Sequence, residues 1–264
     1  MTAIPRDAAT TIIIRDVDPP MSGIEVLMVQ RHEKSHFAGN AYVFPGGVME
    51  ESDYEPQMES LCLGLTFQQA KCIITDTSHP ERALGFFIAA IRETFEEVGI
   101  LFAYQSTSEL LSFDVEESLR FDSYRKNVQR NLISFKEMIL NEKLLLAVDQ
   151  LNYFAHWITP EAAPIRFDTH FFIAPAPTGQ AAVHDTIETT QHLWISPKEA
   201  LNRHKQDLFP MLPPTVSNLN LLSCFSNVDE AVTSMQDKKI PTILPRVVIE
   251  NGKTKVLMPW DNDV

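Results

Sequence analysis

With 264 residues, 44% of them hydrophobic, the chain is long enough to bury one large core, alone or with an extension. A formal net charge of -13, with Lys and Arg scattered, excludes a general nucleic-acid surface, and no apolar run approaches the ~18 residues of a membrane-spanning helix. Cys62, Cys72 and Cys224, without Cys-x-x-Cys spacing, predict buried thiols in a reducing compartment. Neither a signal-peptide pattern over residues 1–7 nor a Ser-Lys-Leu type ending is present, so the expected location is the cytoplasm.

Residues 10–17 and 24–31 are rich in β-branched side chains and bracket Pro19-Pro20-Met21-Ser22-Gly23, which predicts two strands around a turn. A third strand is expected over 41–44. Residues 54–80 hold one plausible helix, capped by Thr66 and running to about Ile74. Pro80 opens a longer helix with an apolar stripe of Ala83, Phe87, Ala90, Ile91, Thr94 and Val98, and Gly99 closes it. A strand over 100–104 and a helix over 115–130 follow, then a helix from the capping box Ser134-Phe135-Lys136-Glu137 to about Leu146. Strands are expected over 153–159, 169–174 and 191–195, the last leading into a helix capped by Ser196. Pro213 starts a helix to about Phe225, and another is expected over 228–236. Asn251-Gly252, between 247–250 and 253–256, predicts a closing hairpin with a type I′ turn. Strands and helices in no repeating order predict an α/β/α sandwich around a mixed sheet, with one domain over 1–210 and a helical and hairpin extension over 211–264 packed on it.

The informative chemistry lies at the end of the long helix. Glu93, Glu96 and Glu97 stand at i, i+3 and i+4, on one face, where like charges repel by ~0.2–0.5 kcal/mol per pair and the helix dipole is already negative. Carboxylate oxygens crowded in this way suit a hard divalent cation, Mg²⁺ or Mn²⁺. An acidic helix face can also be merely solvated, but here Phe44-Pro45-Gly46-Gly47 lies upstream, where the paired glycines allow positive φ and a close backbone approach to a ligand. A competing motif, His32-Glu33-Lys34-Ser35-His36, matches the zinc-protease pattern, yet it leaves a strand and reaches Gly39 at once instead of forming the helix that pattern needs. His170, His184 and His192 show no mutual ligand spacing and are expected to be packed or solvent-facing.

These residues resemble the Nudix hydrolases, whose signature is Gly-x5-Glu-x7-Arg-Glu-U-x-Glu-Glu-x-Gly-U, with U a bulky aliphatic residue. Arg92-Glu93-Thr94-Phe95-Glu96-Glu97-Val98-Gly99-Ile100 supplies the second half, with Thr94 at the first U position. Gly47 supplies the opening glycine, and Asp53, six residues later, the first acid. Gly47 and Arg92 are 45 positions apart, far more than the unbroken signature allows, so a long insertion, assigned to 54–82, interrupts the box. Such an interruption is similar to the coenzyme A diphosphatases of the peroxisomal type and their bacterial relatives. His156-Trp157-Ile158-Thr159-Pro160 and Arg166-Phe167-Asp168-Thr169-His170-Phe171-Phe172 resemble the same branch.

The resemblance implies a metal-dependent hydrolase that cleaves the diphosphate of a nucleoside diphosphate linked to X. Coenzyme A or acyl-coenzyme A is the expected substrate, with a nucleoside monophosphate-type product; ADP-ribose, NADH and dinucleoside polyphosphates are the alternatives, and a non-catalytic nucleotide-binding module is the alternative of another class. Glu93, Glu96 and Glu97 become the Mg²⁺ or Mn²⁺ ligands. Arg92 orients the carboxylates, and Glu93 or Glu188 serves as base, with Asp185 as understudy to Glu188. Arg31, Phe44, Gly46, Gly47 and Arg166 are the expected substrate contacts, the two arginines because guanidinium binds phosphate oxygens in a bidentate manner. The expected partner is a small nucleotide, not nucleic acid or membrane, and a homodimer is allowed.

Overall fold

The computed structural model describes residues 2–17, 23–35, 38–77, 79–105, 109–185, 188–236, 238–250 and 253–261, with the side chains of Ile249, Lys253 and Thr254 excepted. In chain order the strands are β1 (Arg6–Asp16), β2 (Ile24–Arg31), β3 (Tyr42–Val43), β4 (Gly46–Val48), β5 (Cys62–Leu63), β6 (Ala103–Tyr104), β7 (Leu145–Ala147), β8 (Asn152–Ile158), β9 (Phe167–Pro175), β10 (Thr189–Ile195), β11 (Thr242–Ile243), β12 (Arg246–Glu250) and β13 (Lys253–Leu257). The α-helices are α1 (Phe67–Ile73), α2 (Pro80–Val98), α3 (Val115–Gln129), α4 (Phe135–Asn141), α5 (Pro197–Lys205), α6 (Pro213–Leu222) and α7 (Val228–Thr233), and two 3₁₀ turns, Glu51–Tyr54 and Pro56–Leu61, precede β5.

The main sheet runs β10-β2-β1-β9-β8-β11, with β3 on β2 and β4 on β1. It is mixed: β1 runs parallel to β9 and β8 to β11, while β2 is antiparallel to β1 and to β10. Alternate residues of the central strands serve opposite faces, as the period of a strand requires. Ala9, Ile13, Leu27, Val29, Phe172 and Ala174 join α2 in one core, whereas Ile12, Ile14, Val26, Met28, Phe171 and Ile173 join residues of α5, α6 and α7 in the other. The result is the expected three-layer sandwich.

Helix α2 is buried more completely than an amphipathic stripe demands. Every residue from Ala83 to Ile91 is buried, because the sheet takes one face and the insertion covers the outer one with Tyr54, Met58, Ala70 and Ile74. Thr66 caps α1 through a box with Gln69, as predicted. Helix α4 stops at Asn141 rather than near Leu146: Lys143 takes φ 53°, and Leu145–Ala147 then becomes β7, paired with β5 and β6. Helices α6 and α7 contribute Leu219, Leu222, Val228 and Ala231 to the second core, and β11 adds an edge to the main sheet. The terminal hairpin forms between β12 and β13; its Asn251-Gly252 turn lies outside the described residues, as does the turn over 18–22. The thiol expectation is corrected, since Cys72 and Cys224 are exposed although all three cysteines are free.

Candidate active site

Gly99, at φ 73°, ends α2 in the left-handed conformation two residues after Glu97. The side chain of Arg92 is buried beside the glutamates. Its Nε and Nη2 donate to both oxygens of Asp53 at 2.9 Å, Nη2 also donates to the Val48 carbonyl at 2.9 Å, and Nη1 reaches Glu93 at 2.9 Å and Glu96 at 3.2 Å. One buried guanidinium therefore sets the positions of two carboxylates, held by an acid that accepts it in bidentate fashion. Asp53 is in turn oriented by the Glu50 backbone N–H, which donates to it at 2.8 Å.

The glycine pair works differently from the sequence-based expectation. Gly46 and Gly47 form β4 opposite Thr10 and Ala9, and neither adopts positive φ. A Cβ on Gly47 would lie 2.5–2.6 Å from the Glu93 carboxylate, and one on Gly46 would lie 2.4 Å from the Ala9 carbonyl oxygen. The Gly46 N–H donates to Glu97 Oε2 at 3.0 Å. What these residues bring close is the α2 carboxylates and β1, so the reason for glycine is space and not left-handed backbone.

Sequence reasoning missed the support at the end of α2. Arg125 of α3 donates to the Glu96 and Glu97 carbonyls at 2.8 and 2.7 Å and to the Val183 carbonyl at 2.6 Å, and Gln129 adds a bond to the Glu96 carbonyl. A cation here satisfies helix-end acceptors and offsets the negative dipole end. Only its place on a neighbouring helix shows this, and no local pattern signals it.

Burial dominates the electrostatics. It raises Glu93 to about 7 against the opposing pull of Arg92, and it raises Glu96 as well. Glu97 is pushed well above the usual carboxylate range, by burial first and then by the charge of Glu93. For Arg92 burial acts against the charge, but the hydrogen bonds and charge of Asp53, followed by Glu93 and Glu96, hold the guanidinium firmly protonated. A patch that disfavours its own negative charge is one that a divalent cation would stabilise. The donor set, all carboxylate oxygen, fits Mg²⁺ or Mn²⁺.

Glu93 opens onto a cavity of about 870 Å³ on the sheet face opposite the main body of α2. Arg31, Phe44, Gly46, Gly47 and Glu188 all line it, as do Arg6, His32 and Glu50, which sequence reasoning did not select. Buried Arg31 Nε lacks a hydrogen-bond partner among the described residues, the state expected of a donor awaiting an anion. Glu188 is held by its backbone, which donates to Asp185 at 3.0 Å and accepts from His32 N–H at 2.8 Å. Asp185 accepts also from the Thr189 N–H and hydroxyl, so it holds the backbone of residues 188 and 189.

Arg166 is a correction. It is 7% exposed, and its Nε and Nη1 donate to the carbonyls of Thr159 and Ala3 at 2.9 and 2.8 Å, so the guanidinium ties the N-terminus to the β8–β9 connection instead of lining the cavity. Residues 32–35 form a turn rather than a helix, in keeping with the rejection of a protease; His36 lies outside the described residues. His184 and His192 meet through their Nδ1 atoms at 3.0 Å. His170 is packed as expected, but against His156 and Asp76. Among the described residues no helix is long and apolar enough to cross a membrane.

A mixed sheet between helical layers, with α2 carrying arginine-organised glutamates against a glycine pair, defines a Nudix-type domain. Residues 5–222 match the family model for the NUDT19 Nudix domain, and the chain belongs to that family. It is 31% identical over 236 residues to the acyl-coenzyme A diphosphatase NUDT19 of Xenopus laevis, covering 79% of this chain and 62% of the relative. Against the protein of the same name from Gallus gallus it is 28% identical over 251 residues, covering 82% and 65%. The chain thus spans less than two thirds of the length of these curated relatives. A crystal structure of a NUDIX hydrolase from Alicyclobacillus acidocaldarius shares the fold, with a TM-score of 0.69 at 23% identity over 90% of this chain and 100% of that one.

Proposed function

We propose that the protein is a divalent-metal-dependent diphosphatase that cleaves coenzyme A or acyl-coenzyme A at its diphosphate. The observation that carries this reading is the meeting, in one cavity, of the Glu93 carboxylate with an unsatisfied buried Arg31 donor and an apolar wall that includes Trp157, Phe167 and Phe171. The charged side suits a diphosphate, and the apolar side suits the long arm and acyl group that follow it. A volume near 870 Å³ is that of a small-molecule site. The names of the relatives, acyl-coenzyme A diphosphatase, support the same substrate.

Glu93, Glu96 and Glu97 would hold Mg²⁺ or Mn²⁺, which supplies charge neutralisation at the diphosphate and activation of a bound water. Arg92 keeps Glu93 and Glu96 in register, and the Gly46 N–H keeps Glu97 in register. Arg31 and Arg6 would take phosphate oxygens from the cavity wall. Glu93 or Glu188, which line the cavity together with Glu50, would accept the proton of the attacking water. Free, exposed Cys72 and Cys224 suit the reducing cytoplasm.

The test is Glu97→Gln, with the wild type assayed in Mg²⁺ and Mn²⁺ on free and acyl coenzyme A, ADP-ribose, NADH and diadenosine polyphosphates. The variant is expected to lose metal-dependent release of the nucleoside monophosphate-type product while keeping its melting temperature. Wild-type turnover in Glu97→Gln would refute the site. Preferred cleavage of another compound in the panel would refute the substrate, and saturable binding of coenzyme A without products would favour a binding module.

A further inference from the structure

The alternation of β9 that turns Thr169 and Phe171 toward the large cavity sends Asp168 and His170 to the other face of the sheet. There they border a second cavity of about 210 Å³, together with Asp7, Asp76, Arg82 and Phe86. His156 stands directly opposite His170 across the β8–β9 ladder, and the two imidazoles stack with centroids 4.2 Å apart, each only 2% exposed. Asp76, from the segment joining α1 to α2, reaches over both rings. Its Oδ2 lies 3.2 Å from His156 Nδ1 and 3.5 Å from His170 Nε2, and one ligand atom from each of the three residues falls within 4.8 Å of the others.

The two separations from Asp76, 3.2 and 3.5 Å, are those of a coordination shell. Bonds of about 2.0–2.1 Å at tetrahedral angles put neighbouring ligand atoms about 3.4 Å apart. The outer contacts fit too. His156 turns Nδ1 toward Asp76, where Thr242 Oγ1 also lies 2.9 Å from it, while Nε2 lies 2.5 Å from Asp168 Oδ1, the carboxylate–histidine arrangement that orients metal-bound imidazole, so a bound cation would take the place of the threonine contact. Asp7 is engaged by Arg82, which leaves Asp76 and Asp168 facing the histidines without an arginine. Two imidazoles and one carboxylate select zinc-type cations over Mg²⁺, and the adjoining cavity provides a fourth position for water.

We propose that Asp76, His156 and His170 form a zinc-type metal site, separate from the α2 carboxylates, that ties the insertion to strands β8 and β9. None of its ligands belongs to the Nudix signature, and the site stands whether or not the catalytic reading holds.

The experiment uses the full chain, stripped of metal and titrated with Co²⁺ in excess Mg²⁺ that saturates the α2 carboxylates. One equivalent of Co²⁺ is expected to bind with the visible ligand-field absorption of four-coordinate nitrogen and oxygen ligation, to be displaced by Zn²⁺ and to raise the melting temperature. Asp168→Asn should weaken binding 10–100-fold. His170→Asn and Asp76→Ala should lose the signal, whereas Glu97→Gln should keep it. Because Asp76 is a partly exposed loop residue, its variant keeps the test valid should the buried His170 variant fail to fold. Absence of the Co²⁺ equivalent, its retention in Asp76→Ala, or its loss in Glu97→Gln would overturn the proposal.

Discussion

Substitutions at two adjacent glycines are expected to separate the proposed catalysis from stability. In Gly47→Ala the new methyl would start 2.5 Å from Glu93 Cδ, and ordinary contact begins near 3.4 Å, so the carboxylate must retreat by about 0.9 Å. It is the far end of a side chain, and Gly47 does not need positive φ, so the fold should accommodate the change at a cost below about 1 kcal/mol. Misplacement of a catalytic group by about 1 Å, by contrast, costs on the order of 10²-fold in rate. Gly46→Ala puts its methyl 2.4 Å from the Ala9 carbonyl oxygen and 2.6 Å from Thr10 Cα, atoms of a central strand that cannot retreat. That substitution must push β4 off β1, and a loss of about 2 kcal/mol or more, roughly 4–8 °C in Tm, is expected. The assay is paired: thermal unfolding, and kcat/KM for coenzyme A with titrated Mg²⁺. Near-wild-type kcat/KM in Gly47→Ala, or equal Tm losses in the two variants, would refute the reasoning.

Asp53→Asn removes the partner of a buried guanidinium and should cost about 3–5 kcal/mol, on the order of 10 °C in Tm, together with weaker Mg²⁺ binding; unchanged urea unfolding would count against the role of Arg92 as organiser. Arg125→Met leaves the carbonyls of Glu96, Glu97 and Val183 short of a donor and should lower both stability, by about 2–4 kcal/mol, and Mg²⁺ affinity, which calorimetry would read directly. Without metal, stability should fall as pH rises. Glu93 has a folded-state pKa of about 7 against an ordinary 4.5, so its contribution is complete below 4.5 and is lost as pH climbs through 7, by about 3 kcal/mol at about 1.4 kcal/mol per unit. Urea titrations at pH 5 and pH 8 in EDTA should show the loss, and saturating Mg²⁺ or Glu93→Gln should diminish it; pH-independent stability in EDTA would contradict the burial argument.

Local rules acting over a few residues were legible in the chain itself. The i, i+3, i+4 spacing of Glu93, Glu96 and Glu97, the Pro80 start and Gly99 stop of α2, the Thr66 and Ser134 capping boxes and the alternating strands could all be read, because each depends on geometry that repeats within a turn or a pleat. Long-range packing decided the rest. Arg166 and Arg31 look alike as isolated guanidiniums, and only the fold assigns one to backbone carbonyls and leaves the other facing a cavity. The same holds for Arg125 under the end of α2, and for Asp76, His156 and His170, which are 80 and 14 positions apart in the chain yet share one small volume. Side-chain partners separated by that much sequence are chosen by strand register and layer packing, and a linear pattern carries no record of either.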